Sequence, residues 1–221
     1  AAVAVGLCLQ WGGGPARAAV IFDGSVGSGG PGVAPDLAGY DFAVEAARGE
    51  QANGNLFHSF SEFSLADGES VGLIGEGDFA NVFLRVSSRI ELDGTFHSDH
   101  AGADVFLLSP QGITLGEHGG FVAMPAGLTL STADQVLFAA GAFPINETSW
   151  SAGSCCPGAA TALVFAGAGP AADPASVEIQ ALAVALPQGT AWDLFKGLRV
   201  MAGRIAVGGR ELGSSKSVIR L

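Results

Sequence analysis

An all-β fold is predicted by three features of the amino-acid sequence. Short apolar alternations, rich in β-branched and aromatic residues and bounded by Gly, Asp, Ser or Pro, recur along the chain. Helical periodicity is sparse, because Gly or Pro interrupts most windows long enough to hold an amphipathic helix. Finally, 34 of the 221 residues are Gly, and 48% hydrophobic residues stand against 14% charged ones. That balance excludes a charge-rich disordered segment and favours a turn-dense globular fold. The length supports one well-buried core and does not require two domains.

In chain order, residues 1–18 stand apart. They are almost uncharged, apolar up to Leu9, and end in the small-residue triplet Ala16-Arg17-Ala18. This reads as the back half of a secretory signal peptide, cut after Ala18 to leave Ala19 as the mature N-terminus. The apolar run is shorter than the about 20 residues of a membrane span. A buried N-terminal strand or helix is the competing reading. Residues 19–221 then form a single β domain, in which no segment reaches the length of a membrane helix.

Strand-like segments follow at Asn81 to Val86, Arg89 to Phe96, Ala103 to Leu108, Gly112 to Leu115, Gly127 to Leu130 and Gln135 to Phe138. Further ones lie at Val177 to Leu186, Gly197 to Met201, Arg204 to Val207 and Ser217 to Leu221. A parallel β-helix returns a strand to the same wall after roughly 20 residues. Ile90 and Ile113 open comparable segments about one such coil apart, with ADVFLLSPQ between them as another wall. A seven-strand sandwich also shows short strands with turn signals, and the pattern alone leaves both architectures open.

Residues 151–176 break this rhythm with small residues and prolines, and read as an excursion from the β scaffold or a hairpin laid against it. They contain Cys155 and Cys156. A bridge between neighbours is possible but closes a strained ring, so a turn with two partly buried thiols is the favoured reading. Two cysteines are too few for a structural zinc site.

Ten Lys and Arg against 21 Asp and Glu give a formal charge of -11, which repels nucleic acid and anionic membrane surfaces. Asp93, Asp99 and Asp104 lie close in sequence, and paired carboxylates can act on sugars. Turn and cap roles suffice for Asp93 and Asp104. His97 and His100 flank Asp99, but their spacing matches no strong zinc signature. A GxSxG elbow, a P-loop and a dinucleotide fingerprint are all absent. No catalytic residue, metal or cofactor is expected.

Four strings then occur in order: FDGSVG at Phe22 to Gly27, GNLFHSFSEFSL at Gly54 to Leu65, ADVFLLSPQGITLG at Ala103 to Gly116, and STAD at Ser131 to Asp134. Together they resemble the two-partner-secretion domain at the N-terminus of filamentous-haemagglutinin-type exoproteins. Two departures from that family are visible. The turn is Ser109-Pro110-Gln111-Gly112 rather than Asn-Pro-Asn-Gly, and Asn53-Gly54-Asn55 replaces Asn-Pro-Asn. Pro110 still fixes φ and Gly112 still permits a positive one, so the turn geometry should survive.

The resemblance implies a right-handed, single-stranded parallel β-helix of the pectin-lyase-like kind, with an N-terminal cap and extra-helical hairpins. It also implies Sec export through the periplasm to the medium or cell surface. The expected partner is a cognate outer-membrane β-barrel transporter with POTRA domains. An extended segment can add as a strand to a sheet edge, which makes Asn55, Leu56, Phe57, His58, Ser59, Phe60 and Phe63 the candidate recognition residues. The same apolar residues also suit a folded core. An adhesin or haemagglutinin with a host-cell or polysaccharide receptor is the expected whole. A carbohydrate-active β-helix enzyme and the delivery stalk of a contact-dependent toxin are the alternatives.

Overall fold

The computed structural model describes residues 18–122, 126–147, 150–151 and 156–165, followed by five strands between 176 and 220. Most of the apolar N-terminal segment, with Ala16, and Cys155 lie outside the described residues, as do residues 180–186 and Leu221.

The chain enters through β1 (Val20–Asp23), β2 (Pro31–Val33), β3 (Phe42–Glu45), a short 3-10 turn at Ala46–Arg48, and β4 (Glu50–Ala52). Winding begins at β5 (Asn55–Leu65), whose 11 residues serve two walls, and β6 (Ser70–Ile74) supplies the third. The next coil is β7 (Asn81–Val86), β8 (Ile90–Leu92) and β9 (Thr95–Ser98). Another follows with β10 (Asp104–Leu108), β11 (Ile113–Leu115) and β12 (Gly120–Val122), and β13 (Leu128–Ser131) opens the turn after it. The chain then leaves the stack for β14 (Gln135–Phe138), β15 (Gly141–Pro144) and β16 (Ala162–Val164). It returns in β17 (Ser176–Ile179), β18 (Leu198–Ala202) and β19 (Arg204–Val207), and β20 (Arg210–Gly213) and β21 (Ser217–Arg220) come last.

Successive coils pair in parallel. One wall runs β5-β7-β10-β13-β18, the second β5-β8-β11-β17-β19, and the third β3-β6-β9-β12. A sandwich would pair its neighbours antiparallel, so the architecture is a parallel β-solenoid. Ile90 does lie beside Ile113 in adjacent coils.

The stretch Arg89 to Phe96, expected as one strand, is two strands on different walls, broken at Asp93-Gly94. The corner explains the break. A Cβ on Gly94 would sit 2.3 Å from the Glu69 carbonyl oxygen of the previous coil, and one on Gly119 would sit 2.4 Å from that of Leu92. Stacked corners leave room only for Gly.

Alternation sends every second residue of each strand inward. The interior is a set of columns, among them Leu56, Val82, Val105 and Leu128, and, on the second wall, Phe63, Ile90 and Ile113, all buried. Burying a side chain of this size contributes about 1.5–3 kcal/mol. Over the first coil, β1 and β4 run antiparallel to β5 and supply the hydrogen bonds that its free edge would otherwise leave open. The outermost strand, β2, has 3 residues, including Pro31 and Gly32, and makes a poor template for further pairing.

Candidate functional site

The candidate recognition residues all lie on β5, and each is buried. On the inner face, Leu56, Phe60 and Phe63 join the main core. On the outer face, Asn55, Phe57 and Ser59 each head a ladder that runs through the following coils. Register places Asn55 beside Asn81 and Asp104, Phe57 beside Phe83 and Phe106, and Ser59 beside Arg85 and Leu108.

The aromatic ladder is stacked, with ring centroids 5.1 Å apart for Phe57 and Phe83 and 4.6 Å for Phe83 and Phe106. Offset stacks of this kind contribute beyond the area they bury. The antiparallel sheet β15-β14-β16 lies over them, and Phe138, Phe143 and Trp150 meet Phe57 edge-on at 6.0, 4.9 and 5.0 Å. The excursion is therefore a hairpin sheet packed on the scaffold, and it starts at β14, earlier than the loss of rhythm at Ser151 suggests.

Asn55 ties down the loop between β15 and β16. Its Nδ2 donates to the Cys156 carbonyl at 2.8 Å and the Gly158 carbonyl at 2.9 Å, and its Oδ1 accepts from Asn81 Nδ2 at 2.7 Å. Cys156 is fully buried and disulfide-bonded, with a positive φ of 66°. The expectation of free thiols is corrected at this residue: the loop is drawn into the core, where an oxidised sulfur packs as an apolar group.

Ser59 belongs to a charged network. Arg85, wholly buried, donates from Nε to Ser59 Oγ (2.7 Å), from Nη2 to Ser25 Oγ (2.8 Å) and from Nη1 to the Pro144 carbonyl (2.5 Å). Ser59 Oγ in turn donates to Asp23 Oδ2, and Ser25 Oγ to Asp23 Oδ1, each at 2.6 Å. The guanidinium also stands 5.0 Å from the Phe143 ring centre. Burial lowers the Arg85 pKa, while Asp23 and Glu147 oppose that shift. One cation thus joins the cap, the first two coils and the hairpin sheet.

His58 differs from its neighbours. It points into the interior column that continues as Leu84, Leu107 and Leu130, and it is 1% exposed. Among the described residues, neither of its ring nitrogens has a hydrogen-bond partner. Desolvation, with the positive charges of His100 and Arg48 adding to it, pushes its pKa down to about 3.

This arrangement of capped first coil, stacked ladders and outer hairpin sheet coincides with a family match over most of the chain: residues 35–219 fit the model of the TPS secretion domain. The chain belongs to that family. No curated protein matches it. A TPS secretion domain marks a secreted two-partner-secretion exoprotein and implies a cognate transporter. The family is one of secretion domains rather than enzymes. Among the described residues, no helix is long and apolar enough to cross a membrane.

Elsewhere in the secretion domain, the Ser109-Pro110-Gln111-Gly112 turn closes with Gly112 N donating to Ser109 O at 3.1 Å, and Gly112 has φ 111°. Ser109 Oγ accepts from Gln111 N (3.1 Å) and donates to Ser88 O (2.6 Å), so a hydroxyl performs the local bonding for which Asn is commonly used. Asn53 and Gly54 have φ 54° and 78° and turn β4 into β5, as a two-residue hairpin requires. At the other end, Ala19 N donates to Ser64 Oγ at 3.0 Å. Ala18 and Ala19 line an open groove of about 530 Å³ with Asp41, Phe42, Glu62 and Glu69.

Two of the three carboxylates considered for sugar chemistry hold backbone. Asp93 Oδ1 accepts from His118 N, and Asp104 Oδ1 from Gly127 N, each at 2.8 Å. His97 faces Tyr40, whereas His100 is buried against Phe79, so HSDH does not converge on one point. The residues that sequence reasoning missed are Asp23, Ser25, Asn81 and Arg85. The signal for two of them was present, since Asn55-Leu56-Phe57-His58-Ser59-Phe60 is followed one coil later by Asn81-Val82-Phe83-Leu84-Arg85-Val86.

Proposed function

We propose that β5 is the segment by which the cognate outer-membrane transporter recognises this exoprotein, and that it is read before the chain folds. The observation that carries this reading is the burial of Asn55 to Phe60 together with the occupation of both strand edges, by β7 on one side and by β4 and β1 on the other. A POTRA sheet that accepts an added strand needs a free edge, and only the unfolded segment offers one. Alternation in β5 would then present Leu56, His58 and Phe60 to one side and Asn55, Phe57 and Ser59 to the other.

In this reading the chain reaches the periplasm by Sec, is cut after Ala18, crosses the outer membrane extended, and winds outside. Burial of each coil at about 25 cal/mol per Å² of apolar surface opposes its return. The exported molecule serves as an adhesin whose receptor is a host-cell or polysaccharide surface.

Secretion through the cognate transporter is the test, with two double variants of comparable core damage. Phe57→Ala with Phe60→Ala alters the block, and Leu107→Ala with Leu130→Ala alters the core outside it. The first should abolish export while the second leaves most of it. Equal loss in both would reduce β5 to a core strand and overturn the reading.

A further inference from the structure

We propose that His58 is a proton-operated latch on the capped end of the solenoid: the cap closes over the neutral ring, and taking a proton from solvent favours the open chain. The geometry carries this. In a column otherwise made of Leu84, Leu107 and Leu130, the first coil places an imidazole, and among the described residues neither ring nitrogen has a partner. The cap shuts it in. Phe22 of β1 lies 6.1 Å from the His58 ring, Arg48 stacks 4.3 Å over Phe22, and Gly49 leaves the space that His58 fills, since a Cβ there would be 2.7 Å from the His58 Cε1.

The charged groups around the ring favour its neutral form. Arg48, from the 3-10 turn, and His100, from the turn after β9, both act against a positive His58. Three further charges on the packed strands are engaged on the other face. Glu50 of β4 accepts from Ser151 Oγ, and Asp23 of β1 and Arg85 of β7 meet through Ser25 and Ser59. Among the described residues, no carboxylate is set against the imidazole to stabilise its cation.

The sign follows from linkage. In the unfolded chain His58 titrates near its ordinary 6.5, and in the folded chain near 3. The folded state is fully favoured above 6.5. Below that value the unfolded chain takes up a proton that the folded one refuses, and the folding constant falls about tenfold per pH unit. The latch stands on burial and missing partners, independently of the transporter reading, so failure of the secretion test would leave it intact.

The test is the pH dependence of urea unfolding for the wild-type chain and for His58→Leu, the residue that the column carries in later coils. Between pH 6.5, where half of the unfolded chain already carries the His58 proton, and pH 5 the wild-type unfolding constant should rise about 16-fold more than that of the variant. His97, His118 and the carboxylates are common to both proteins and cancel in the comparison. An NMR titration of the folded wild type should show no protonation of His58 over the same range, and this readout decides the matter even if the variant does not fold. Parallel pH profiles, or a His58 that titrates near 6.5 in the folded protein, would overturn the latch.

Discussion

Asn55 and Asn81, 26 residues apart in sequence, face each other across adjacent coils, with Asn81 Nδ2 donating to Asn55 Oδ1 at 2.7 Å. Both are buried, and the free amide hydrogens of Asn55 reach the carbonyls of Cys156 and Gly158. The contact between two coils is therefore also the anchor of the outer sheet's return loop.

Replacing Asn55 by Ala removes three hydrogen bonds and leaves buried partners unmatched. The expected loss is about 2–4 kcal/mol in urea unfolding. Limited proteolysis should also cut near residues 156–160 in the variant and spare the wild type there.

Asp23→Ala takes the carboxylate away from the Ser25, Ser59 and Arg85 network while the guanidinium stays buried. Breaking such a group typically costs about 3–5 kcal/mol. Arg85→Lys should be destabilising too, because an ammonium cannot reproduce the fork that reaches Ser59, Ser25 and Pro144 together. Thermal unfolding of the two single variants and the double variant measures the coupling, and additive losses would contradict the network.

Gly27, in the FDGSVG string, has φ 78°, and a Cβ there would lie 2.0 Å from the Arg48 carbonyl oxygen. Gly27→Ala should cost about 1–3 kcal/mol. Hydrogen exchange should rise mainly across β1 and the 3-10 turn, with β10 and β13 unchanged.

Ser109→Ala keeps the turn's Pro110 and Gly112 but loses the bonds to Ser88 O and Gln111 N. A fall of about 1–2 kcal/mol in urea unfolding is expected, with the fold retained by circular dichroism.

Most strands were legible because alternation and turn residues are local signals. Asn81 to Val86 and Gln135 to Phe138 match the structure at both ends. Walls were harder to read. The turn at Asp93-Gly94 was legible but not its consequence, a change of wall, because the steric demand for Gly94 comes from Glu69 in the preceding coil. The two-residue turn at Asn53-Gly54 was an available hairpin signal that would have placed β4 against β5. The β5 block was found through resemblance, but its polar partners were not. Asp23 and Arg85 meet Ser59 from 36 and 26 residues away, and a lone Arg in an apolar strand discloses no partner until the coils are stacked.

The cap over β5 gives the molecule a direction. With β1 and β4 flanking β5 at one end, and β21 and β20 flanking β18 and β19 at the other, a second copy finds no open rung on β5, β18 or β19. The solenoid is in that sense a staircase with a built-in bottom landing.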